Sequence, residues 1–208
     1  MSAGARVSPA PPAKRPLVTL SKLAEKKALG EPIVMVTAYD YPSAQVAEAA
    51  GVDMVLVGDL PFGSYEGSNE QAIATAQRFV KEAGCDAVKL ERGGTSVERA
   101  RAIVDAGIPV MGHVGLTPQT ATALGGYRSQ GRTAERALEV TRDALALEEA
   151  GCFAIVFEAV PAAVADALMP HIDVPVIGIG AGLTTDGDRK STRLNSSHEV
   201  PSRMPSSA

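Results

Sequence analysis

The sequence is poor in aromatic residues, in cysteine and in basic charge. Phe, Tyr and Trp make up 4% of the 208 residues and Trp is absent, so the core has to be built from aliphatic side chains. Two cysteines, Cys85 and Cys152, exclude a disulfide framework, and their apolar contexts favour buried thiols in a cytoplasmic protein. The net charge of −4 argues against nucleic acid as a partner, because phosphate binding needs clustered Lys and Arg.

Long apolar runs are missing as well. No stretch reaches membrane-spanning length, and residues 1–16 have no hydrophobic signal segment. The Pro- and Ala-rich composition of residues 1–16 predicts a disordered leader. A transit peptide is the alternative, because no acidic residue comes before Glu25.

What the sequence does contain is a repeated pattern, in which a helical stretch ends in Ala-Gly and a short Val/Ile-rich run follows. Its copies are Ala49–Asp59, Glu82–Glu91, Asp105–Gly115 and Glu149–Ala159, with a variant at His171–Gly182 that lacks the Gly. Gly is the usual residue after a helix, and short apolar runs bounded by turn residues indicate buried strands. Helices alternating with such strands predict a parallel sheet. With residues 33–40, the predicted strands number six.

Four of the predicted strands end in side chains that can take part in chemistry: Asp59, Lys89 with Glu91, His113 and Glu158. In a closed (β/α) barrel all strands end at one rim, where the active site lies. An open sheet binds ligands only at its switch point. The sequence therefore predicts an α/β protein of the TIM-type (β/α)8 barrel class, here incomplete, with about six of eight strands.

Each of these residues also has an ordinary structural interpretation. Lys89 and Glu91 share one face of a strand and are explained equally well by a structural ion pair. Glu158 fits a solvated strand end, and His113 fits a hydrogen-bonded core residue. Asp59 fits a turn, although an Asp at a strand end also suits Mg²⁺.

Two glycine-rich segments keep two interpretations each. Residues 178–182, GIGAG, would either cradle a phosphate on backbone N–H groups or permit close strand packing. Residues 125–132, GGYRSQGR, would either contact a folate or carboxylate or form a plain surface loop.

The order of the motifs resembles one family. The series runs VTAYDYPSA, VLVGD, DLPFGSY, AVKLE, GIPVMGHVGLTPQ, GGYRSQG, DALALEEAG, FEAVP and PVIGIGAG. From about Leu20 to Gly187 it resembles the ketopantoate hydroxymethyltransferase family, for which GHVGLTPQ together with GGYRSQG is highly specific. The resemblance implies a (β/α)8 barrel that uses Mg²⁺ and forms a large homo-oligomer. It also implies transfer of a hydroxymethyl group from 5,10-methylenetetrahydrofolate to 3-methyl-2-oxobutanoate, which gives 2-dehydropantoate for pantothenate and coenzyme A biosynthesis.

The resemblance further implies a role for each candidate residue. Glu158 matches the general base that removes a proton from C3 of the 2-oxo acid. Lys89 matches a substrate ligand that places positive charge where an enolate develops. Glu91 matches a metal-associated acid, and His113 lies in a substrate-pocket motif. Asp59 matches an aspartate that binds metal and substrate.

The sequence departs from the family pattern at two places. The family has two metal-binding aspartates on successive strands, whereas this chain passes from VLVG to LPFGSY through Asp59 alone. One strand, one helix and a substrate-binding Ser are therefore expected to be missing, roughly 30 residues by the size of a βα unit. After Gly187 the sequence becomes Ser- and Arg-rich without apolar periodicity. The predicted organisation is a disordered leader at 1–16, a partial barrel at 17–187 and a disordered, non-native tail at 188–208.

Three functions remain open on this evidence. The first is the hydroxymethyltransferase reaction of the family. The second is an inactive fragment that associates only through exposed strand edges. The third is a lyase of the phosphoenolpyruvate/pyruvate barrel group, which shares metal–enolate chemistry, although the GHVGLTPQ and GGYRSQG motifs argue against it.

Overall fold

The computed structural model describes residues 16–61, 63–120 and 131–191. The helices are Leu20–Leu29 (α1), Tyr41–Ala50 (α2), Asn69–Ala83 (α3), Thr95–Asp105 (α4), Ala134–Glu149 (α5) and Ala162–Leu168 (α6), with short 3-10 turns at Pro118–Thr120 and Met169–His171. The strands are Ile33–Thr37 (β1), Met54–Leu56 (β2), Val88–Lys89 (β3), Val110–Gly115 (β4), Ala154–Glu158 (β5), Val176–Ile179 (β6) and Gly187–Ser191 (β7).

The strands form one parallel sheet that curls into an incomplete barrel. Their order is β2-β1-β7-β6-β5-β4-β3, and every pair is parallel. Each strand lies beside its neighbour in the sequence, and β7 closes onto β1. The exception is the gap between β2 and β3, which we call the open seam. The prediction of an incomplete (β/α) barrel is confirmed.

The structure contains a seventh strand, one more than the approximately six predicted, and this strand extends into the predicted tail. Residues 187–191 form a seventh strand, which pairs with β1 over five residues and with β6 over two. Residues 188–191 therefore belong to the sheet. The physical reason is that ladder hydrogen bonds use backbone N–H and C=O groups, so a polar segment can form a strand where two strand edges flank it. Residues 1–15 and 192–208 lie outside the described residues, so the other parts of the two terminal predictions stay predictions.

Side chains alternate between the two faces of the sheet and build two apolar layers. One layer fills the barrel interior and includes Ile33, Met35, Met111, Val156 and Ile177. The other lies between the sheet and the helices. In β4, Met111 belongs to the interior layer, whereas Val110 and Val114 belong to the outer one. The same alternation turns every second residue near a strand end towards the barrel mouth.

The helix ends follow the local sequence. The Ser68 hydroxyl accepts a hydrogen bond from the Gln71 backbone N–H at 3.2 Å and caps α3, which is the usual role of Ser before a helix. Gly51 and Gly84 end α2 and α3 with φ of 79° and 71°, in the left-handed region that glycine adopts without a steric penalty. Among the described residues, the helices are too short or too polar to cross a membrane.

Candidate active site at the carboxyl ends of the strands

The structure brings the five predicted site residues together at the mouth of the barrel. Lys89 ends β3 and Glu91 follows two residues later, His113 lies within β4, and Glu158 ends β5. Asp59 lies in the loop after β2, beside the open seam. All except Asp59 are at most 8% exposed. The functional roles assigned to these residues remain predictions.

The Lys89 ammonium lies between an anion and a ring nitrogen. Its Nζ is 2.5 Å from Asp59 Oδ1 and 2.9 Å from His113 Nδ1. The Lys89 side chain is 5% exposed, against 19% for Asp59. A buried ammonium is costly unless it is paired and hydrogen-bonded, and these two contacts meet that requirement. The sequence allowed a structural ion pair between Lys89 and Glu91, and the structure pairs Lys89 with Asp59 instead.

His113 is fully buried and neutral. Burial lowers its pKa well below the ordinary value, and the nearby Lys89 charge lowers it further. Because Lys89 has no acceptor and donates to Nδ1, the proton of the neutral ring must be on Nε2. That nitrogen lies 2.7 Å from the Leu116 carbonyl oxygen, which accepts its hydrogen bond. Both ring nitrogens are engaged, so His113 holds Lys89 in place.

Asp59 and Glu91 form a carboxyl pair close to this lysine. One carboxylate oxygen of each and one ring nitrogen of His113 lie within 4.8 Å of one another. Burial raises the pKa of Glu91, Lys89 opposes that shift, and the charge of Asp59 adds to it. The Gln119 backbone N–H donates to Glu91 Oε2 at 3.1 Å. Two adjacent carboxyls are an arrangement that a divalent cation can bind.

Glu158 lies on the other side of His113. Its Oε2 is 3.6 Å from His113 Nε2, which is too long for a hydrogen bond, and the neutral ring makes no ion pair with it. The Glu158 backbone carbonyl accepts from Leu116 N–H at 2.8 Å, which fixes the strand end. Lys89 and Glu158 therefore flank the His113 ring.

The structure adds three residues that the sequence did not single out, and all of them hold Glu91. The Tyr65 hydroxyl and the Ser96 hydroxyl each donate to the Glu91 backbone carbonyl at 3.1 Å. Burial raises the pKa of Tyr65, so the phenol remains a donor. Gln119 holds the Glu91 carboxyl and also donates from Nε2 to the Leu60 carbonyl at 3.2 Å. Tyr65 and Gln119 stand in the quoted motifs LPFGSY and GLTPQ, which is the signal that could have identified them.

The glycine-rich segment at residues 178–182 packs tightly. A Cβ on Gly178 would lie 2.6 Å from the Thr185 hydroxyl oxygen, and one on Gly182 would lie 2.9 Å from the Ala162 Cβ. Close packing accounts for both glycines, which favours the packing interpretation over the phosphate one. Of the segment at residues 125–132, only 131 and 132 are among the described residues.

The model of the family described as "Ketopantoate hydroxymethyltransferase" matches the chain in two segments, residues 17–60 and 57–190. The segments share residues 57–60, VGDL, so Asp59 falls in both. This overlap lies where the sequence predicts the loss of an internal βα unit. It also coincides with the chain segment that leaves β2 at the open seam.

Relatives carry the corresponding name. The chain is 48% identical over 205 residues to "3-methyl-2-oxobutanoate hydroxymethyltransferase 2, mitochondrial" of Oryza sativa subsp. japonica, with 79% of this chain and 51% of that protein covered. It is 46% identical over 214 residues to "3-methyl-2-oxobutanoate hydroxymethyltransferase" of Moorella thermoacetica, with 84% and 80% covered. The chain thus spans about half the length of the rice relative and four fifths of the Moorella one.

Two solved structures illustrate the similarity of the fold. A putative phosphonomutase from Burkholderia cenocepacia gives a TM-score of 0.56 at 16% identity, with 81% of this chain and 92% of that chain covered. A 2,3-dimethylmalate lyase of the PEP mutase/isocitrate lyase superfamily gives 0.53 at 17% identity, with 84% and 81% covered. At these identities the likeness supports the barrel fold alone.

Proposed function

We propose that this chain, which belongs to the ketopantoate hydroxymethyltransferase family, carries the active site for transfer of a hydroxymethyl group from 5,10-methylenetetrahydrofolate to 3-methyl-2-oxobutanoate. The observation that carries the proposal is the meeting of Asp59, Lys89, Glu91, His113 and Glu158 at one rim of the sheet. The product would be 2-dehydropantoate. The lyase alternative has only a fold likeness behind it.

The donor set fits Mg²⁺. Asp59 and Glu91 offer the carboxylate oxygens that this ion prefers, and a cation beside them would offset the burial that raises the pKa of Glu91. Mg²⁺ would supply positive charge beside the oxygens of a bound 2-oxo acid, where negative charge develops as the enolate forms. His113 is left out of the ligand set because Lys89 and Leu116 engage both of its nitrogens.

The other residues would handle the proton and the developing charge. Glu158 would accept the proton from C3 of the oxo acid, since it is a buried carboxyl at the rim and matches the general base of the family. Lys89 would place its ammonium near the oxygen on which the charge develops. His113 would orient Lys89 through the Nδ1 contact. A neutral imidazole suits that task, because a charged one would repel the ammonium.

The assembly and the location are also proposals. The family resemblance implies a homo-oligomer, and the two cysteines in apolar contexts favour a cytoplasmic location. The rice relative carries the word mitochondrial in its name, which is said of that protein.

One structural observation favours a second candidate, an inactive fragment of the enzyme. The open seam lies directly beside Asp59, and β2 and β3 each leave one edge without a neighbouring strand among the described residues. Such edges expose N–H and C=O groups to other chains. In an inactive fragment the site residues would be present, but the substrate would be held loosely. A misplacement of about 1 Å can lower the rate about 100-fold.

Exchange of the C3 proton of 3-methyl-2-oxobutanoate tests the proposed function without requiring the folate. The 208-residue chain is incubated with the oxo acid and Mg²⁺ in D₂O, and loss of the C3 proton signal is followed by NMR. We expect exchange that depends on the chain and on Mg²⁺, and that falls at least 100-fold in Glu158→Gln, because an amide cannot accept the proton.

Glu149→Gln is the matched control, since that side chain is 81% exposed on α5, away from the rim, and the substitution should leave the rate unchanged. Exchange that persists in Glu158→Gln would place the base elsewhere. Exchange absent from the parent chain would support the inactive fragment.

A further inference from the structure

We propose that Asp143, on α5, is a positioning residue for the proposed metal site, because it fixes the loop that carries Glu91. The proposal rests on the proposed function for its link to Mg²⁺. It assigns a task to a residue outside the rim, in the motif DALALEEAG.

The loop between β3 and α4 has an unusual backbone. Arg92, directly after Glu91, has φ of 75°, and Gly94 has φ of 54°. A side chain at positive φ costs free energy, and such residues persist where their surroundings fix them. The helix that follows lacks a cap of its own, since the N-cap residue Gly94 makes no side-chain capping bond. By contrast, α1, α2, α3 and α5 are capped by their own N-cap side chains.

Asp143, on α5, instead binds the N-cap residue of α4 itself. Its Oδ1 accepts a hydrogen bond from the Gly94 backbone N–H at 2.9 Å. It also lies against the loop, because a Cβ on Gly93 would be 2.1 Å from the Asp143 Cγ. Burial is the first cause of the raised pKa of Asp143, and the Gly94 hydrogen bond opposes that shift. A partly buried carboxyl that bonds a strained loop is well placed to fix the loop's conformation.

The contacts run on from this loop to Glu91. The first turn of α4 contains Ser96, whose hydroxyl donates to the Glu91 carbonyl at 3.1 Å. Ser96 N–H and Val97 N–H donate to the Gly93 and Gly94 carbonyls at 3.1 and 3.2 Å. Loss of the Asp143 bond would free Gly94, loosen this turn and let Glu91 move relative to Asp59. Mg²⁺ needs near-octahedral geometry, so it would be sensitive to that movement.

Three variants test the proposal. Asp143→Ala removes the acceptor, whereas Asp143→Asn keeps a side-chain oxygen for Gly94 N–H. Val140→Ala is the matched control, because it removes buried volume one turn away on the same helix and leaves the Asp143–Gly94 hydrogen bond in place. Mg²⁺ affinity is measured by calorimetry with 3-methyl-2-oxobutanoate present, and exchange of the Ser96 and Val97 amides is measured by NMR.

We expect Asp143→Ala to bind Mg²⁺ about tenfold more weakly, at the low end of the effect of residues that support metal ligands. Asp143→Asn and Val140→Ala should stay within about twofold of the parent. The proposal would be overturned if Asp143→Ala bound Mg²⁺ within twofold of the parent. It would also be overturned if Asp143→Asn bound Mg²⁺ as weakly as Asp143→Ala. If Val140→Ala bound Mg²⁺ as weakly as Asp143→Ala, a general loss of stability would explain both results and the positioning role of Asp143 would be refuted.

Amide exchange keeps the test separate from the proposed function. If the parent binds no Mg²⁺, the proposed metal site is refuted. The amide exchange rates then still test whether Asp143 fixes the loop. Exchange at Ser96 and Val97 that is at least fivefold faster in Asp143→Ala alone would support the positioning task. Equal rates in all three variants would refute it.

Discussion

Removal of the Lys89 ammonium should destabilise the chain most when no Mg²⁺ is present. Lys89→Met keeps the length of the side chain and removes its charge. The change leaves Asp59 without its ion-pair partner and His113 Nδ1 without its donor. Breaking a buried ion pair from one side typically costs about 3–5 kcal/mol. Because the Asp59 side chain remains 19% exposed and water can reach it, we expect the low end, about 3 kcal/mol.

Mg²⁺ should restore part of that loss. A divalent cation between Asp59 and Glu91 would neutralise the charge that Lys89 neutralises in the parent, and ligands that bind only the folded state stabilise it. The assay is urea unfolding of parent and variant, each with EDTA and with saturating Mg²⁺. Lys22→Met is the control, since Lys22 pairs with Glu25 on the surface at 47% side-chain exposure, where solvent screens the pair and its loss should leave stability nearly unchanged. A loss of unfolding free energy below about 1 kcal/mol in Lys89→Met would refute the reasoning. A stability difference between parent and variant that is as large with Mg²⁺ as with EDTA would also refute it.

Three further results are expected. In a direct assay with Mg²⁺ and methylenetetrahydrofolate, the 208-residue chain should form 2-dehydropantoate at less than a tenth of the rate of the Moorella relative, because the seam beside Asp59 is open. Rates within tenfold of each other would show that a closed barrel is dispensable. Cys152, buried and with its pKa raised to about 12 by that burial, should resist a thiol reagent at pH 8 until urea is added, whereas Cys85 should react in the folded chain; rapid modification of both would contradict the buried core. Val57→Lys should reduce self-association in analytical ultracentrifugation, because Val57 is 62% exposed directly after β2, at the open seam. Leu138→Lys, at a site that is 55% exposed on α5, should leave self-association unchanged. Equal effects of the two substitutions would exclude the open seam as the associating surface.

The position of the site could be predicted from strand periodicity. Residues that alternate along a strand share a face, so Lys89 was expected beside Glu91 at the barrel mouth, and the rule that parallel strands end together placed His113 and Glu158 there too. These inferences need only the spacing within one strand. They hold in the structure because Met111 and Val156, two residues before His113 and Glu158, fill the interior.

The remaining features depend on contacts between distant segments. Gln119 reaches Glu91 from 28 residues away, and the Asp143 side chain reaches Gly94 from 49, which no local pattern reveals. The strand at residues 187–191 was missed because its sequence, GDRKS, has no apolar periodicity. Its place is set by the free edges of β1 and β6. The protonation of His113 follows from Lys89 as a donor, and that contact was also invisible in the sequence.

The metal site is tested most directly by locating the ion. Crystals of the chain grown with Mn²⁺ in place of Mg²⁺ and with 3-methyl-2-oxobutanoate would show the cation by its anomalous scattering. We predict one peak at coordination distance, about 2.1 Å, from carboxylate oxygens of both Asp59 and Glu91, with His113 still bonded to Lys89 and Leu116. A peak elsewhere, or no peak while Asp59 remains paired with Lys89, would contradict the proposed active site.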